Sequence, residues 1–274
     1  MNVWMKGHAG EWCFEYSDTM YDIQDEIYDL ADKVADSPSK AEKRLQKILD
    51  REPYAFDAYY HLSYILYWRH RINDALALLK SGFDRASELF PPEFALGRSR
   101  LPWGIIENRP FLRMYEALGS RYLDLGDHKS AIKIFEDIIA MNPDDNQGIR
   151  EILVNCYFQQ GDLDFVSKLC RKYNHDTTPA IMYGKVLVLF KLGKLKEAER
   201  ACSDAIEYGG NIARELVKNK HKFVDSEDPG YVVVGSTHEA YLYWKDFGRY
   251  WAETPGAIAF VRECLKIINP KCDR

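Results

Sequence analysis

Residues 112–143 read LRMYEALGSRYLDLGDHKSAIKIFEDIIAMNP, and the internal order of this stretch decides the fold. Numbered from Leu112, it places Tyr115, Leu118, Gly119 and Tyr122 at positions 4, 7, 8 and 11, Gly126 at 15, and Ala131, Phe135, Ile138 and Pro143 at 20, 24, 27 and 32. Apolar residues spaced three and four apart on both sides of a glycine make two amphipathic helices joined by a tight turn. Gly126 suits the left-handed conformation that ends the first helix, and Asp127 then caps the second. Positions 8 and 20 lie where the two helices cross. Axes about 8 to 10 Å apart admit only small side chains there, which Gly119 and Ala131 provide.

This pattern resembles the tetratricopeptide repeat, a helix-turn-helix of about 34 residues, and it recurs along the chain. A unit starting at Phe56 has Tyr59, Leu62, Ser63, Leu66, Ala75, Leu79 and Gly82 in the matching slots, and one starting at Asp22 has Tyr28, Ala41, Leu45, Ile48 and Pro53. Downstream, Leu153, Tyr157, Gly161, Val166 and Cys170 fit a fourth unit, and Met182, Leu189, Gly193, Ala198, Cys202 and Ala205 a fifth. Asp162 repeats the capping device of Asp127, whereas Lys194 after Gly193 lacks it. Each unit alone leaves an apolar face uncovered, so neighbours must stack. The expected architecture is all-α: one right-handed α-solenoid over 1–274, with an N-terminal arm (1–21), repeats 1 and 2 (22–90), an irregular insert (91–111), repeats 3 to 5 (112–208), an irregular linker (209–236) and C-terminal capping helices (237–268).

The register breaks twice. Pro91, Pro92, Pro102 and Pro110 forbid a continuous helix through the insert, which also carries Arg98, Arg100, Arg109 and Arg113. Two readings stand: a solvated loop plugged into the solenoid by Trp103 and Ile105, or a patch for an anion or an acidic partner. The second break holds Gly209-Gly210, the basic run KNKHK at 218–222 and the apolar run at 231–234, which suggests a packed extended segment. Helix then returns, because Ala240, Tyr243, Trp244, Phe247, Tyr250 and Trp251 share one helical face. Thr254-Pro255 is placed to start a last helix. The aromatic stripe reads as core and cap.

Composition narrows the function classes. The 274 residues carry 37 basic and 42 acidic side chains, a net charge of −5, which disfavours a nucleic-acid protein built on a broad basic surface. An apolar share of 46% supports a packed core. No window approaches the roughly 18 apolar residues of a membrane span, and the N-terminus lacks the apolar core of a secretory signal, so a cytoplasmic protein is expected. Cys13, Cys156, Cys170, Cys202, Cys264 and Cys272 include no CxxC pair and read as reduced thiols. His238-Glu239 is not followed by the second histidine of a zinc-binding HExxH, and there is no phosphate-binding glycine loop or nucleophile elbow. The acidic residues Asp22, Asp25, Glu26 and Asp29 fit a solvated face. The sequence therefore calls for no catalytic residue, no metal and no cofactor.

The segments LPWGIIENRPFLR (101–113), NPDDNQGIREIL (142–153) and HEAYLYWKDFGRYWAETPGAIAFV (238–261) resemble a family of bacterial tetratricopeptide repeat proteins with ENRPFLR-, NPNDNQGxR- and TPGA-type motifs. That resemblance, over about residues 56–261, implies a fold and a generic interaction role without a mechanism. In such repeats positions 2, 5, 6, 9, 12 and 13 face the concave side. Here they give an aromatic, mildly acidic groove, with Tyr60, Tyr64, Tyr67 and Trp68 on one helix and Asn155 and Tyr183 further along. Repeats that clamp chaperone carboxylates carry Lys at position 5 and Asn at position 9, and only Asn155 matches, so that mode is rejected. The expectation is a non-enzymatic scaffold binding a protein or peptide through the groove, with no membrane partner, nucleic acid disfavoured and homo-oligomerisation left open. The alternative is an accessory that binds an anionic ligand or RNA through Arg98 to Arg113 and residues 218–222.

Overall fold

The computed structural model describes residues 2–33, 36–228 and 230–268; Cys272 lies outside the described residues. Two compact units form, Met1–Ile149 and Arg150–Arg274. The repeat expectation holds within each, since helices pair as antiparallel neighbours and successive pairs pack on one another.

The first unit opens with a feature the all-α reading left out. Strands β1 (Val3–His8) and β2 (Glu11–Tyr16) form an antiparallel hairpin in register Val3↔Tyr16 to His8↔Glu11. Ala9 and Gly10 both take positive φ, +50° and +87°, the backbone a two-residue hairpin turn requires. The N-terminal arm is thus a folded element. It is anchored by Phe14, whose ring lies 5.4 Å from both Phe56 and Phe111.

Four further helices follow: α1 (Asp18–Ala31), capped by Ser17, α2 (Pro38–Arg51), α3 (Phe56–Trp68) and α4 (Ile72–Ser87). The insert ends in a 3-10 turn, Ile106–Asn108, that leads into α5 (Arg109–Asp124) and α6 (His128–Met141). The insert is pinned at its middle, on two sides, through neighbouring residues. Trp12 N donates to Arg100 O at 2.8 Å and Leu101 N to Met141 O at 2.9 Å. At the α5–α6 crossing Ala131 is buried, and a Cβ on Gly119 would meet Phe135 at 2.8 Å, which is the physical content of the two small positions.

The second unit holds α7 (Ile149–Gln160, beginning at the last residue of the first), α8 (Leu163–Lys172), α9 (Pro179–Lys191), α10 (Leu195–Leu216), α11 (Thr237–Ala252) and α12 (Ala257–Ile268). Gly126, Gly161 and Gly193 close their helices at φ +78°, +73° and +71°. Asp127 and Asp162 accept the capping bonds from Ser130 N and Phe165 N, both at 3.1 Å, and Lys194 makes no side-chain cap. Three boundaries differ from expectation. Helix α10 runs on past 208, bending at Gly209, so part of the expected linker is helical. Thr254 bonds back to Tyr250 O at 2.6 Å instead of capping α12. The 231–234 run is neither strand nor packed, with Tyr231 and Val234 exposed. The stripe on α11 is core as expected: Tyr243, Phe247, Tyr250 and Trp251 are buried. Among the described residues no helix is long and apolar enough to cross a membrane, and the five described cysteines are free.

Candidate functional site

Helix α3 divides its residues by face. Tyr59, Leu62 and Leu66 are buried against neighbouring helices, while Tyr64 is 38% and Trp68 75% exposed, with Tyr60 and Tyr67 half-buried between these extremes. The four rings form two edge-to-face pairs, Tyr60 with Tyr64 at 5.0 Å and Tyr67 with Trp68 at 5.8 Å. Such pairs hold one another in a fixed orientation beyond what area burial gives.

The face is backed by a residue that sequence reasoning passed over. Arg121 of α5, only 6% exposed, sets its guanidinium 3.9 Å from the Tyr67 ring centroid and 5.8 Å from that of Tyr64. Its Nε lies 2.8 Å from Asp124 Oδ2, close enough for an ion pair though not aligned as a hydrogen bond, and its Nη1 is buried with no hydrogen-bond partner among the described residues. The ring faces therefore do part of the work of stabilising this cation. Arg121 occupies position 10 of its repeat, outside the six groove positions, so a reading by groove slots does not find it.

Beside it lies a buried ion pair. Arg113 grips Asp57 with Nε on Oδ1 at 2.9 Å and Nη2 on Oδ2 at 2.5 Å, and also donates to Tyr28 OH at 3.1 Å. Gln24 donates to the same carboxylate, so α1, α3 and α5 are tied through Asp57, which is fully buried. Burial raises the Tyr60 hydroxyl above its usual range, with Tyr64 adding to the shift, and burial lowers His61, leaving it neutral near pH 7.

The other sequence-derived site residues fare differently. Tyr183 is 1% exposed, its hydroxyl donating to Ala205 O at 3.3 Å and Gly209 O at 3.1 Å, and so it presents no ring to a partner. The Asn155 amide is committed as well: Oδ1 accepts from Tyr250 OH at 2.6 Å and Nδ2 donates to Asp246 O at 3.4 Å. The cause is α11, whose aromatic stripe lies on the slots these residues occupy, with Tyr250 stacked on Phe158 at 5.3 Å and Tyr243 against Tyr183 at 5.7 Å.

The expected anion patch is also dispersed. Arg98 is exposed, Arg100 is half-buried, Arg109 donates to Trp103 O at 3.0 Å and lies over that ring, and Arg113 is neutralised by Asp57. In the 218–222 run, Lys218 pairs with buried Glu215, while His221 lies 2.9 Å from the same carboxylate and stacks on Trp244 at 3.6 Å. Both observations weaken the anionic-ligand alternative at those places.

Burial holds the Cys156 thiol up at about 11 and Cys170 at about 12, which keeps both protonated at neutral pH. Among the described residues no three His, Cys, Asp or Glu side chains come together in a metal-binding group. What the face offers is contact area and one fixed cation.

The fold is that of a tetratricopeptide-type helical repeat protein. A tetratricopeptide repeat protein from Parabacteroides merdae ATCC 43184 shares the fold at 15% identity, covering 93% of this chain and 88% of that one with a TM-score of 0.52. The MamA protein does so at 17% identity, covering 75% of this chain and all of that one, with a TM-score of 0.50. None of the curated proteins matches. The chain belongs to the Tcf25 family, described as transcriptional repressor TCF25, whose model matches residues 12–245.

Proposed function

We propose that the chain is a non-enzymatic scaffold that binds a protein partner, as an extended peptide or a helix, on the aromatic face of α3. The observation that carries the reading is the exposure of Trp68 and Tyr64 on a face whose backing residues are already committed to one another. Large rings supply contact area at little cost in side-chain entropy, which suits them as anchors. The site is therefore Tyr60, Tyr64, Tyr67 and Trp68 with Arg121. The second unit contributes no open aromatic slot at Asn155 or Tyr183, because α11 already fills them.

A repressor role, which is how the family is described, needs no chemistry in the chain itself if the chain works by recruiting another protein. The net charge of −5 favours a protein over a nucleic acid as that partner. Within this reading the motifs at 101–113, 142–153 and 254–257 mark a bacterial branch of such repeat proteins, and the partner is met in the cytoplasm. Photo-crosslinking tests the site. A benzophenone amino acid at position 68 is expected to trap the partner, and one at exposed Leu192 is not; equal trapping at both positions would remove the α3 face as the site.

A further inference from the structure

The second unit carries a cleft that the aromatic face does not explain. It is about 350 Å³ in volume and runs between α8 and α10 over α9, with Cys170, Val188 and Ala201 forming a buried apolar floor. Four cations from three elements line it: Arg171 on α8, Lys185 on α9, and Lys194 and Arg200 at the start and on the first half of α10. Two carboxylates, Glu197 and Asp204, share the lining, yet among the described residues none of these six groups makes an ion pair. Among the described residues Arg171 donates to Ser167 O of its own helix, at 3.3 Å.

The first unit supplies the comparison. The groove in the same place, between α2 and α4 over α3, also has an apolar floor, of Leu62 and Leu66, and four cations, Lys43, Lys47, Arg69 and Arg71, with the carboxylates Glu42 and Asp74. There the arginines are consumed. Arg69 pairs with Glu42 and donates to Ser39 Oγ at 2.6 Å, while Arg71 donates to Glu42 at 2.9 Å and to Asp74 at 2.7 Å. Both grooves thus hold four cations and two carboxylates, but in the first unit both carboxylates are taken up by the arginines, leaving Lys43 and Lys47 outside the ion pairs, whereas in the second, among the described residues, all four cations stay outside them.

A cleft whose cations outnumber its carboxylates four to two over a low-dielectric floor concentrates positive potential and attracts the opposite charge. In a chain of net charge −5, four unpaired cations around one cleft are matched by a ligand and not by the protein's own surface. We propose that this cleft docks an acidic polypeptide segment, whose Asp and Glu side chains meet Arg171, Lys185, Lys194 and Arg200 while its aliphatic side chains rest on Val188 and Ala201. The lining favours a polypeptide over RNA, because it holds no aromatic ring on which a base would stack and its apolar floor suits aliphatic side chains. The site shares no residue with the α3 face and does not depend on it.

The probe is a fluorescein-labelled peptide of repeated Asp-Glu-Leu, titrated with the full chain and followed by anisotropy. Saturable binding that weakens as salt rises is expected. Lys185→Glu with Arg200→Glu should weaken it at least about tenfold, and the neutral pair Lys185→Gln with Arg200→Gln less strongly, with melting temperatures unchanged because all substituted side chains are exposed. Lys43→Glu with Lys47→Glu, in the groove of the first unit, should leave binding as it is, and so should Tyr60→Ala with Tyr64→Ala. No saturable binding to the wild-type chain, equal binding by the Lys185→Glu/Arg200→Glu chain, or displacement of the peptide by oligoadenylate at lower concentration than by unlabelled peptide would overturn the proposal.

Discussion

Gly97 sits in the insert at φ +72°, and a Cβ built on it would lie 2.0 Å from Asp137 Oδ1. Asp137 is held in place by Tyr115 OH at 3.1 Å and by Lys133, so it has no free direction in which to yield. Gly97→Ala is therefore expected to lower stability by about 1 to 3 kcal/mol in thermal melts, through both the backbone and the clash. Nothing in the local sequence announces this, because the restriction comes from a side chain forty residues away. Trp68 is the opposite case. With 75% of its surface exposed, Trp68→Ala should change stability by no more than about 0.5 kcal/mol while weakening partner binding. Glu116 gives a pH signature. Burial raises its carboxyl above 4.5 against the opposing bond from Gln147, so the folded state holds the proton more tightly than the unfolded chain. That contribution is complete below pH 4.5 and is lost as pH rises through the raised value. Glu116→Gln should then gain on wild type in melting temperature as pH climbs out of that window, and a constant difference would rule the linkage out.

Asn108 is the residue by which one element holds another. It is buried, it accepts from Phe14 N at 3.0 Å, and it donates to Trp12 O at 3.1 Å and Pro102 O at 3.0 Å, fastening β2 to the insert. Asn108→Ala strands these partners, and a loss of about 1 to 3 kcal/mol is expected, together with faster amide exchange at Phe14. Elements with a strong repeat period were legible from the sequence: the helix pairs, their turn glycines and the two aspartate caps all fall where spacing put them. The hairpin at 3–16 was not. VWMKGH is too short and too mixed to read as a strand alone, and the strand it pairs with, β2, is held from outside by Asn108 and the backbone of Arg100. Likewise Tyr183 looked open because groove slots are defined for a repeat with nothing laid on it, and only the tertiary position of α11 shows the slot filled. At the α5–α6 crossing the sequence and the packing agree, and Ala131→Leu should cost about 1 to 3 kcal/mol by overpacking against buried neighbours.

At the scale of the whole molecule, two units built from one kind of repeat are specialised differently. The first leaves aromatic rings of α3 exposed and neutralises its half-buried Arg113 with buried Asp57. The second covers its corresponding slots with α11 and leaves a basic cleft open. The sequence carried the repeat and the α3 stripe, since both depend on local spacing. It did not carry the basic cleft, because residues 171, 185, 194 and 200 form no run and are gathered only by the stacking of α8, α9 and α10. The central claim is that the α3 face is where a partner binds. It is tested most directly by comparing the proteins captured from the native host by the wild-type chain and by the Tyr60→Ala/Tyr64→Ala chain, after both are shown to melt at the same temperature. The account predicts that the doubly substituted chain keeps its fold and loses the partners that wild type retrieves. Recovery of the same partners in the same yield by a chain that melts like wild type would contradict it.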